Sequence, residues 1–506
     1  MEKNNITKKE TEKIMRPPIV VVVGHIDHGK TTILDWYRKT AVAGGEAGGI
    51  TQRIGAYEIE REGRRFTFID TPGHEAFVKI RSRGAAAADV GILVVAADEG
   101  VKAQTREAIA ALQEAKIPFV AALNKADRPD ANPERVKQEL AKEGVLAEGY
   151  GGQVPALAVS AKTGAGMDEL LGTLGLLADL EELSASPDAP AEGVVIETEM
   201  DPRRGIAATL LVQDGTLKKG DTVVIGRNTE VIKILENASG SRTDEAGPSS
   251  PARVTGLSHA PLLGDSFRAF SSRRTADEYV AALPPPAPSD NGGAKKDASD
   301  ARPVFAVVLK ADASGSLEAA ADTLFGLSGE QVAVRIVKSE VGDINESDIK
   351  VASATRLVTV VGFRVGVDAA SRELARAQRI RIVTGDVIYD LAERVKEAIR
   401  ESVPAEVRRV ELGRVKILKV FKKENGKEIV GGRVTDGVIS SGARFDIVRM
   451  GRPAGSGIVA GLQRERAPTS EVAQGLECGI MADGRGGIRE GDELALYREE
   501  TRAVEF

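Results

Sequence analysis

This chain is poor in the residue types that cross-link or anchor proteins. It has one cysteine, Cys478, in 506 residues. No internal disulfide can form, so a reducing cytoplasm is the natural compartment. Aromatic residues make up 4% of the chain and tryptophan occurs once. No run of about eighteen apolar residues appears, which excludes a transmembrane helix, and no membrane partner is expected. The opening Met1-Glu-Lys-Asn-Asn-Ile-Thr-Lys-Lys-Glu lacks the apolar core of a signal peptide and reads as a solvated tail. Excess positive charge is missing too. A net charge of −6 argues against a protein coated in basic surface, though a local basic face stays open. Histidine is scarce, and of four in the chain three (His25, His28 and His74) fall inside two glycine-containing motifs.

The first of these motifs organises the chain. Ile19-Val-Val-Val-Val reads as a buried strand, and Thr32-Ile-Leu-Asp-Trp-Tyr reads as the start of a helix. Between them lies Gly24-His25-Ile26-Asp27-His28-Gly29-Lys30-Thr31, a Gly-x-x-x-x-Gly-Lys-Thr loop in the strand–loop–helix setting that phosphate binding requires. Glycines let the backbone N–H groups turn toward a phosphate chain at a helix N-terminus. Lys30 is assigned to the β- and γ-phosphates, and the Thr31 hydroxyl to Mg²⁺. A glycine-rich segment follows at 43–55, in which Thr51 is a candidate second Mg²⁺ ligand. A strand from Arg65 then ends in Asp70-Thr71-Pro72-Gly73-His74. Asp70 is placed to hold the metal's water, Gly73 to sense a γ-phosphate, and His74 to position the attacking water.

Two further strand ends name the base. Asn124-Lys125-Ala126-Asp127 offers a carboxylate that can accept from both the ring N–H and the exocyclic amine of guanine. Adenine has no such donor pair, so this motif specifies GTP and GDP over adenine nucleotides. Ser160-Ala161-Lys162 would cover the base. With Thr32, these are the site residues of the first domain.

The stretch resembles the GTP-binding domain of translational GTPases. Its Gly-Glu-Ala-Gly-Gly-Ile-Thr-Gln-x-Ile-Gly-Ala-Tyr and Asp-Thr-Pro-Gly-His are most similar to bacterial translation initiation factor two, over about Arg16 to Arg498. That resemblance implies switches at Thr51 and at Asp70–His74, His74 as the catalytic residue, and an apolar gate of Ile26 and Ile50. It also implies a short form without the long N-terminal region of many relatives.

Beyond the first domain, short alternating strands from Glu192 with turn signals at Asp214-Gly215 and Lys219-Gly220-Asp221 read as an antiparallel β-barrel. The segment 211–220 is echoed by 433–442, and Gly264-Asp265 by Gly491-Asp492, which predicts a second, related barrel. A proline-rich stretch at 283–297 reads as a linker. Strands at 304–310, 332–337, 357–361 and 379–383 alternate with helices, as in an α/β sandwich with a parallel sheet. A helix with Ile388, Leu391, Val395 and Ile399 on one stripe follows.

The expected fold is therefore multidomain α/β plus β. Its parts are a tail (1–15), a P-loop GTP-binding domain (16–185), a barrel (190–280), a linker (281–302), an α/β/α domain (303–385), a connecting helix (386–404) and a second barrel (405–506). In the family that last barrel holds the formylmethionyl end of initiator tRNA through a Glu-Cys-Gly stretch, matched here by Glu477, Cys478 and Gly479, with Arg464 and Arg466 nearby. From Arg408 onward it carries 18 Lys and Arg against 15 Asp and Glu, mildly basic in an acidic chain. Three places depart from the family pattern. Gln463 and Glu465 interrupt the basic turn, Arg485-Gly486-Gly487 replaces an aromatic–Asn–Asp, and Gly432 stands where a second cysteine is often found.

The resemblance implies a cytoplasmic, monomeric initiation factor and GTPase with GTP/GDP and Mg²⁺ as cofactors. Its partners would be both ribosomal subunits, initiator tRNA and the mRNA-bound initiation complex. A metabolic enzyme with a borrowed GTPase domain, such as a sulfate-activating adenylyl transferase subunit, is one alternative. A non-hydrolysing GTP-dependent scaffold and an elongation-type factor are the others.

Overall fold

The computed structural model describes residues 13–38, 54–61, 63–73, 75–201, 203–284, 302–329, 331–403, 406–424, 427–465 and 467–502. Thr51, His74 and Arg466 lie outside them. The chain divides into two compact units, 1–398 and 399–505.

The first unit begins with the phosphate-loop domain. Its elements are β1 (Ile19–Gly24), α1 (Lys30–Arg38), β2 (Gly55–Arg61), β3 (Arg64–Asp70), α2 (Val78–Ala87), β4 (Val90–Ala96), α3 (Ala103–Ala115), β5 (Phe119–Asn124), α4 (Pro133–Lys142), β6 (Ala156–Ala158) and α5 (Met167–Leu180). The sheet runs in the order β2-β3-β1-β4-β5-β6, parallel except where β2 meets β3. Continuous aliphatic runs in β1, β4 and β5 suit strands covered by helices on both faces, and β1 is buried along its whole length. Strand order reverses around β1, so a crevice opens beyond its carboxyl end. The phosphate loop lies there.

The tail assignment needs one correction. Ile14 and Met15 form a short strand against Ser184–Ala185. Arg16 then pins the entry to β1 by pairing with Asp89 and donating to Ser249 Oγ at 3.2 Å.

The first barrel comprises β7 (Glu192–Asp201), β8 (Gly205–Asp214), β9 (Thr222–Ile225), β10 (Asn228–Val231), β11 (Ile234–Glu236), β12 (Pro251–Leu257) and β13 (Ser266–Phe270), in the order β10-β9-β13-β7-β8-β12-β11. A helix, α6 (Arg273–Ala282), ends the stretch expected as the barrel (190–280) and runs into the expected linker. Ser272 starts it by accepting from Thr275 N at 3.3 Å.

The α/β layer follows: β14 (Val304–Ala311), α7 (Ser314–Phe325), β15 (Ala333–Val341), α8 (Glu346–Ser353), β16 (Val358–Phe363), α9 (Ala369–Gln378) and β17 (Arg381–Gly385). Its sheet is fully parallel, in the order β15-β14-β16-β17. The N-terminus of α7 lacks a cap of its own. Glu197 of the first barrel supplies one, accepting from Ser314 Oγ at 3.1 Å and Gly315 N at 3.4 Å. The flank of α7 pairs with α2 through Lys79–Asp322 at 2.8 Å and Arg83–Glu318. The helix α10 (Ile388–Ser402) buries the stripe Ile388, Leu391, Val395 and Ile399.

The second unit is a barrel of β18 (Glu406–Glu424), β19 (Lys427–Ser440), β20 (Arg444–Arg449), β21 (Arg452–Arg464), β22 (Glu477–Arg485) and β23 (Glu493–Arg502). The order β18-β23-β20-β21-β22-β19 returns to β18, so the ring closes through backbone hydrogen bonds. Closure removes the free edges a sheet would otherwise expose.

Candidate GTP site and C-terminal groove

The phosphate loop needs its glycines for space as well as for curvature. Gly24 has φ +150°, and a Cβ there would sit 2.3 Å from the Val94 carbonyl oxygen. Gly29 has φ +88°, and its Cβ would meet Asn124 Nδ2 at 2.3 Å. Only glycine fits either position without displacing the neighbour. α1 starts directly after the loop, with Ile33 N donating to Gly29 O at 3.0 Å.

Lys30 is buried at the loop's mouth, and its ammonium donates to the His25 carbonyl at 2.7 Å. Burial pushes its pKa down to about 8, while nearby Asp70 pulls it back up. A phosphate chain would supply the negative charge this ammonium lacks. Gly73 faces the same ammonium. A Cβ on Gly73 would lie 2.3 Å from Lys30 Nζ and 3.1 Å from Ile26 N. Asp70 is buried at the end of β3, and Thr71 is anchored by donating its hydroxyl to Val22 O at 2.7 Å.

The base-side motifs are joined to this loop by one side chain. Asn124 Nδ2 donates to His28 O at 2.9 Å, and its Oδ1 accepts from Ala161 N at 3.2 Å. Three loops distant in sequence are thereby held in register. Ser160 Oγ donates to Asp127 Oδ1 at 2.7 Å, which holds the exposed carboxyl below the usual carboxylate range. Ala126 N donates to Val159 O at 3.1 Å, and Lys125 pairs with Glu99 at 3.0 Å. The structure thus brings together the described residues of all four motifs. His28 enters through its backbone. Its ring is fully buried, 3.4 Å from Val94 O, and burial lowers its pKa to about 4, so it stays neutral.

Two supporting residues escaped the sequence reading. Gln104 Oε1 accepts from Ile26 N at 3.1 Å. Arg81, 1% exposed, donates to Pro72 O at 3.2 Å and pairs with Glu107. Both belong to helices and reach the loops across the fold, so no local spacing announces them.

In the last barrel, Glu477, Cys478 and Gly479 border a groove of about 570 Å³ whose apolar walls include Leu418, Phe421 and Ile429. Phe421 is 62% exposed, large for an aromatic ring. The Cys478 thiol lies 3.7 Å from Gly432 O, and burial pushes its pKa up to about 11. It is a small hydrophobe rather than a nucleophile. Glu477 pairs with Arg433 at 2.7 Å, and Arg464 lies 3.6 Å from Glu465 at the exposed end of β21.

Residues 15–179 match the family model of the Elongation factor Tu GTP binding domain, 190–270 that of Elongation factor G domain 2, and 292–396 that of Translation-initiation factor 2. The chain is a GTPase assembled from domains that match translation-factor families. It carries an initiation-factor-2 domain behind its first barrel. Among solved structures, GDP-bound aIF5B from Aeropyrum pernix is 28% identical over 96% of this chain and 92% of that one, with a TM-score of 0.47. A bacterial selenocysteine-specific elongation factor, EF-Sec, is 24% identical over 50% of this chain and 45% of that one, with a TM-score of 0.41. Among the described residues no helix is long and apolar enough to cross a membrane.

Proposed function

We propose that this GTPase is a translation initiation factor of the bacterial factor-two type, acting as a monomer in the cytoplasm. With GTP bound it positions formylmethionyl initiator tRNA on the mRNA-bound small subunit and promotes joining of the large one. Hydrolysis then releases it. The observation that carries this reading is the initiation-factor-2 domain at 292–396, next to a GTP-binding domain and a barrel of elongation-factor type. That match favours an initiation role over a sulfate-activating enzyme or an elongation factor.

In the GTP site, Gly24 to Thr32 cradle the phosphates, and Lys30 neutralises the β- and γ-oxygens. Asn124, Lys125, Asp127 and the Ser160–Lys162 loop read guanine. Asp127, already oriented by Ser160, accepts from the base. The donor set suits a Mg²⁺ ion, because Thr31 brings a hydroxyl in the first turn of α1 and Asp70 a buried carboxylate that faces the charge of Lys30. With Thr51 these residues would hold the ion, which when bound spreads the charge of the phosphate oxygens. His74 orients a water for in-line attack on the γ-phosphorus. The new oxygen–phosphorus bond forms as the bond to the β–γ bridging oxygen breaks, leaving GDP and phosphate. In the last barrel, the groove beside Cys478 receives the apolar methionyl side chain. Glu477 and Gly479 line it, and Arg464 and Arg466 are assigned to the tRNA backbone.

The test pairs two measurements on the purified factor. GTP turnover is measured with and without ribosomes for the parent and for His74→Ala. Retention of formylmethionyl, methionyl and elongator aminoacyl-tRNA is measured with GTP. Ribosome-stimulated turnover lost in His74→Ala, with GTP affinity kept, together with preference for the formylated tRNA, supports the reading. Turnover indifferent to ribosomes sinks it, and equal retention of elongator tRNA redirects it to an elongation role.

A further inference from the structure

The α/β layer is electrically polarised, and the sequence motifs do not account for it. At the carboxyl ends of its strands sit acids: Asp312 after β14, Asp343 after β15, Asp386 after β17, and Asp368 ahead of α9. Of the arginines there, Arg364 pairs with Asp312 at 3.1 Å and Arg394 donates to Thr384 O at 2.6 Å. At the opposite edge sit arginines. Arg356 lies two residues before β16 and Arg379 two residues before β17, with Arg376 in the last turn of α9. Thr359 is the register partner of Arg381, so these leads enter adjacent parallel strands. Arg356 and Arg379 thus stand at neighbouring strand entries of one edge.

All three side chains are exposed, and among the described residues none has a carboxylate within ion-pairing distance. The carbonyl ends of α8 and α9 favour positive charge here, which explains the sign. It does not explain why the guanidiniums stay unpaired in a chain of net charge −6. Its exposed neighbours include Ala377 and Gln378, with Leu357 and, at the end of α7, Phe325 as large apolar groups. Planar guanidinium forks on one edge, with no ion-paired acid among the described residues, fit phosphate oxygens.

We infer that the strand-entry edge of the α/β layer, built by Arg356, Arg376 and Arg379, is a docking surface for an RNA phosphate backbone. It would bind by charge and geometry, without reading bases. Within the proposed function, on which the partner's identity rests, that RNA belongs to the ribosome. The surface would hold this layer on the ribosome while nucleotide changes elsewhere.

The experiment uses the full chain with two probes, a 20-base-pair RNA hairpin and purified small ribosomal subunits. The triple variant Arg356→Ala/Arg376→Ala/Arg379→Ala is compared with a control lacking three exposed cations elsewhere, Lys142→Ala/Arg273→Ala/Arg274→Ala. Affinity is measured over a series of salt concentrations, with GTP affinity confirming intact folding. Each lost phosphate contact should flatten the salt slope by about one unit. The expected result is a slope shallower by about two to three and an affinity at least tenfold weaker at low salt for the first triple alone. Equal slopes for the two triples overturn the proposal, as does a parent that binds neither probe. A parent that binds the hairpin through this edge but not the subunits upholds the surface and removes the ribosomal reading. A parent that binds subunits with the first triple unchanged does the reverse.

Discussion

In the first barrel the fourth strand is broken, β10 and β11 being separated by Ile232 and Lys233, whereas its counterpart β21 in the last barrel runs unbroken for 13 residues. Apart from that strand the two share one plan. Read in the order β9, β13, β7, β8, β12, the first matches β20, β23, β18, β19, β22 of the last. Individual hydrogen bonds recur as well. Gly264 N donates to Val195 O at 2.9 Å, and Gly491 N to Ile417 O at 3.0 Å. Gly220 N donates to Ile232 O and Gly442 N to Val459 O, both at 2.8 Å. Ile232 therefore stands where Val459 stands, and the break falls at that point. Its cause lies outside the barrel proper. β10 turns to α6, with Thr229 Oγ1 donating to Asp277 at 2.9 Å, and the chain restarts as β11 against β12. The last barrel completes its ring through β21 and β22 instead. The scaffold is the same, but one copy is recruited into its neighbours and the other closes on itself.

The largest expected difference concerns one equivalent residue. Asp265 and Asp492 both accept from the backbone N–H three residues earlier, at 2.9 and 2.8 Å. Asp492 is 2% exposed and takes two further bonds from Arg449, at 2.9 and 2.8 Å. Asp265 has no ion pair among the described residues and is half-buried. Asp492→Ala should therefore cost the last barrel about 3 kcal/mol, because a buried acceptor is lost and a guanidinium loses its bidentate partner. Asp265→Ala should cost the first barrel only about 1 kcal/mol. Hydrogen exchange at the Ile417 and Val195 amides, which bond to the two aspartate carbonyls, would read each locally. Equal costs would mean that the shared turn, and not the arginine, carries the stability.

A second variant sharpens what distinguishes the last barrel. Gly432 is the register partner of Cys478, and a Cβ on it would lie 2.6 Å from Val415 Cγ1 and 2.9 Å from Lys416 O. Restoring the family cysteine by Gly432→Cys should thus cost about 2 kcal/mol through overpacking. Denaturant unfolding under reducing conditions measures it. An unchanged midpoint would show that β18 gives way easily, leaving the glycine without a packing reason.

What was readable beforehand follows the same division between local and distant. The phosphate loop, Asp70–Gly73 and Asn124–Asp127 are contiguous runs at strand ends, so their residue types and intervals were legible. The barrel repeat was legible through its turns: Gly215 and Gly437 have φ +73° and +68°, Gly220 and Gly442 +94° and +86°, conformations that constrain residue choice. Arg81, Gln104 and Glu197 were not legible, since each acts on a loop or helix far away in sequence. Nor was the broken strand, which depends on Thr229 meeting a helix 48 residues later. Ile14–Met15 looked like tail because a two-residue strand has no periodicity to detect.

The smallest effect is the most discriminating, because it has opposite signs in the two barrels. Hydrogen bonding from Arg449 holds the Asp492 carboxyl below its ordinary value, whereas burial raises that of Asp265. A depressed carboxyl adds stability above its unfolded pKa and loses it as pH falls through the folded one. A raised carboxyl does the opposite: its ionisation costs the fold at neutral pH, and the cost is relieved as pH falls through the raised value. Asp492→Asn should therefore lose stability at pH 7 and lose less at pH 4. Asp265→Asn should be neutral or slightly stabilising at pH 7, and that advantage should shrink toward pH 4. Protection factors at the Ile417 and Val195 amides, corrected for intrinsic exchange, would report both in one intact protein. Two shifts of the same sign would mean that the shared backbone turn sets the environment of both carboxyls, and that Arg449 adds little to the barrel that closes on itself.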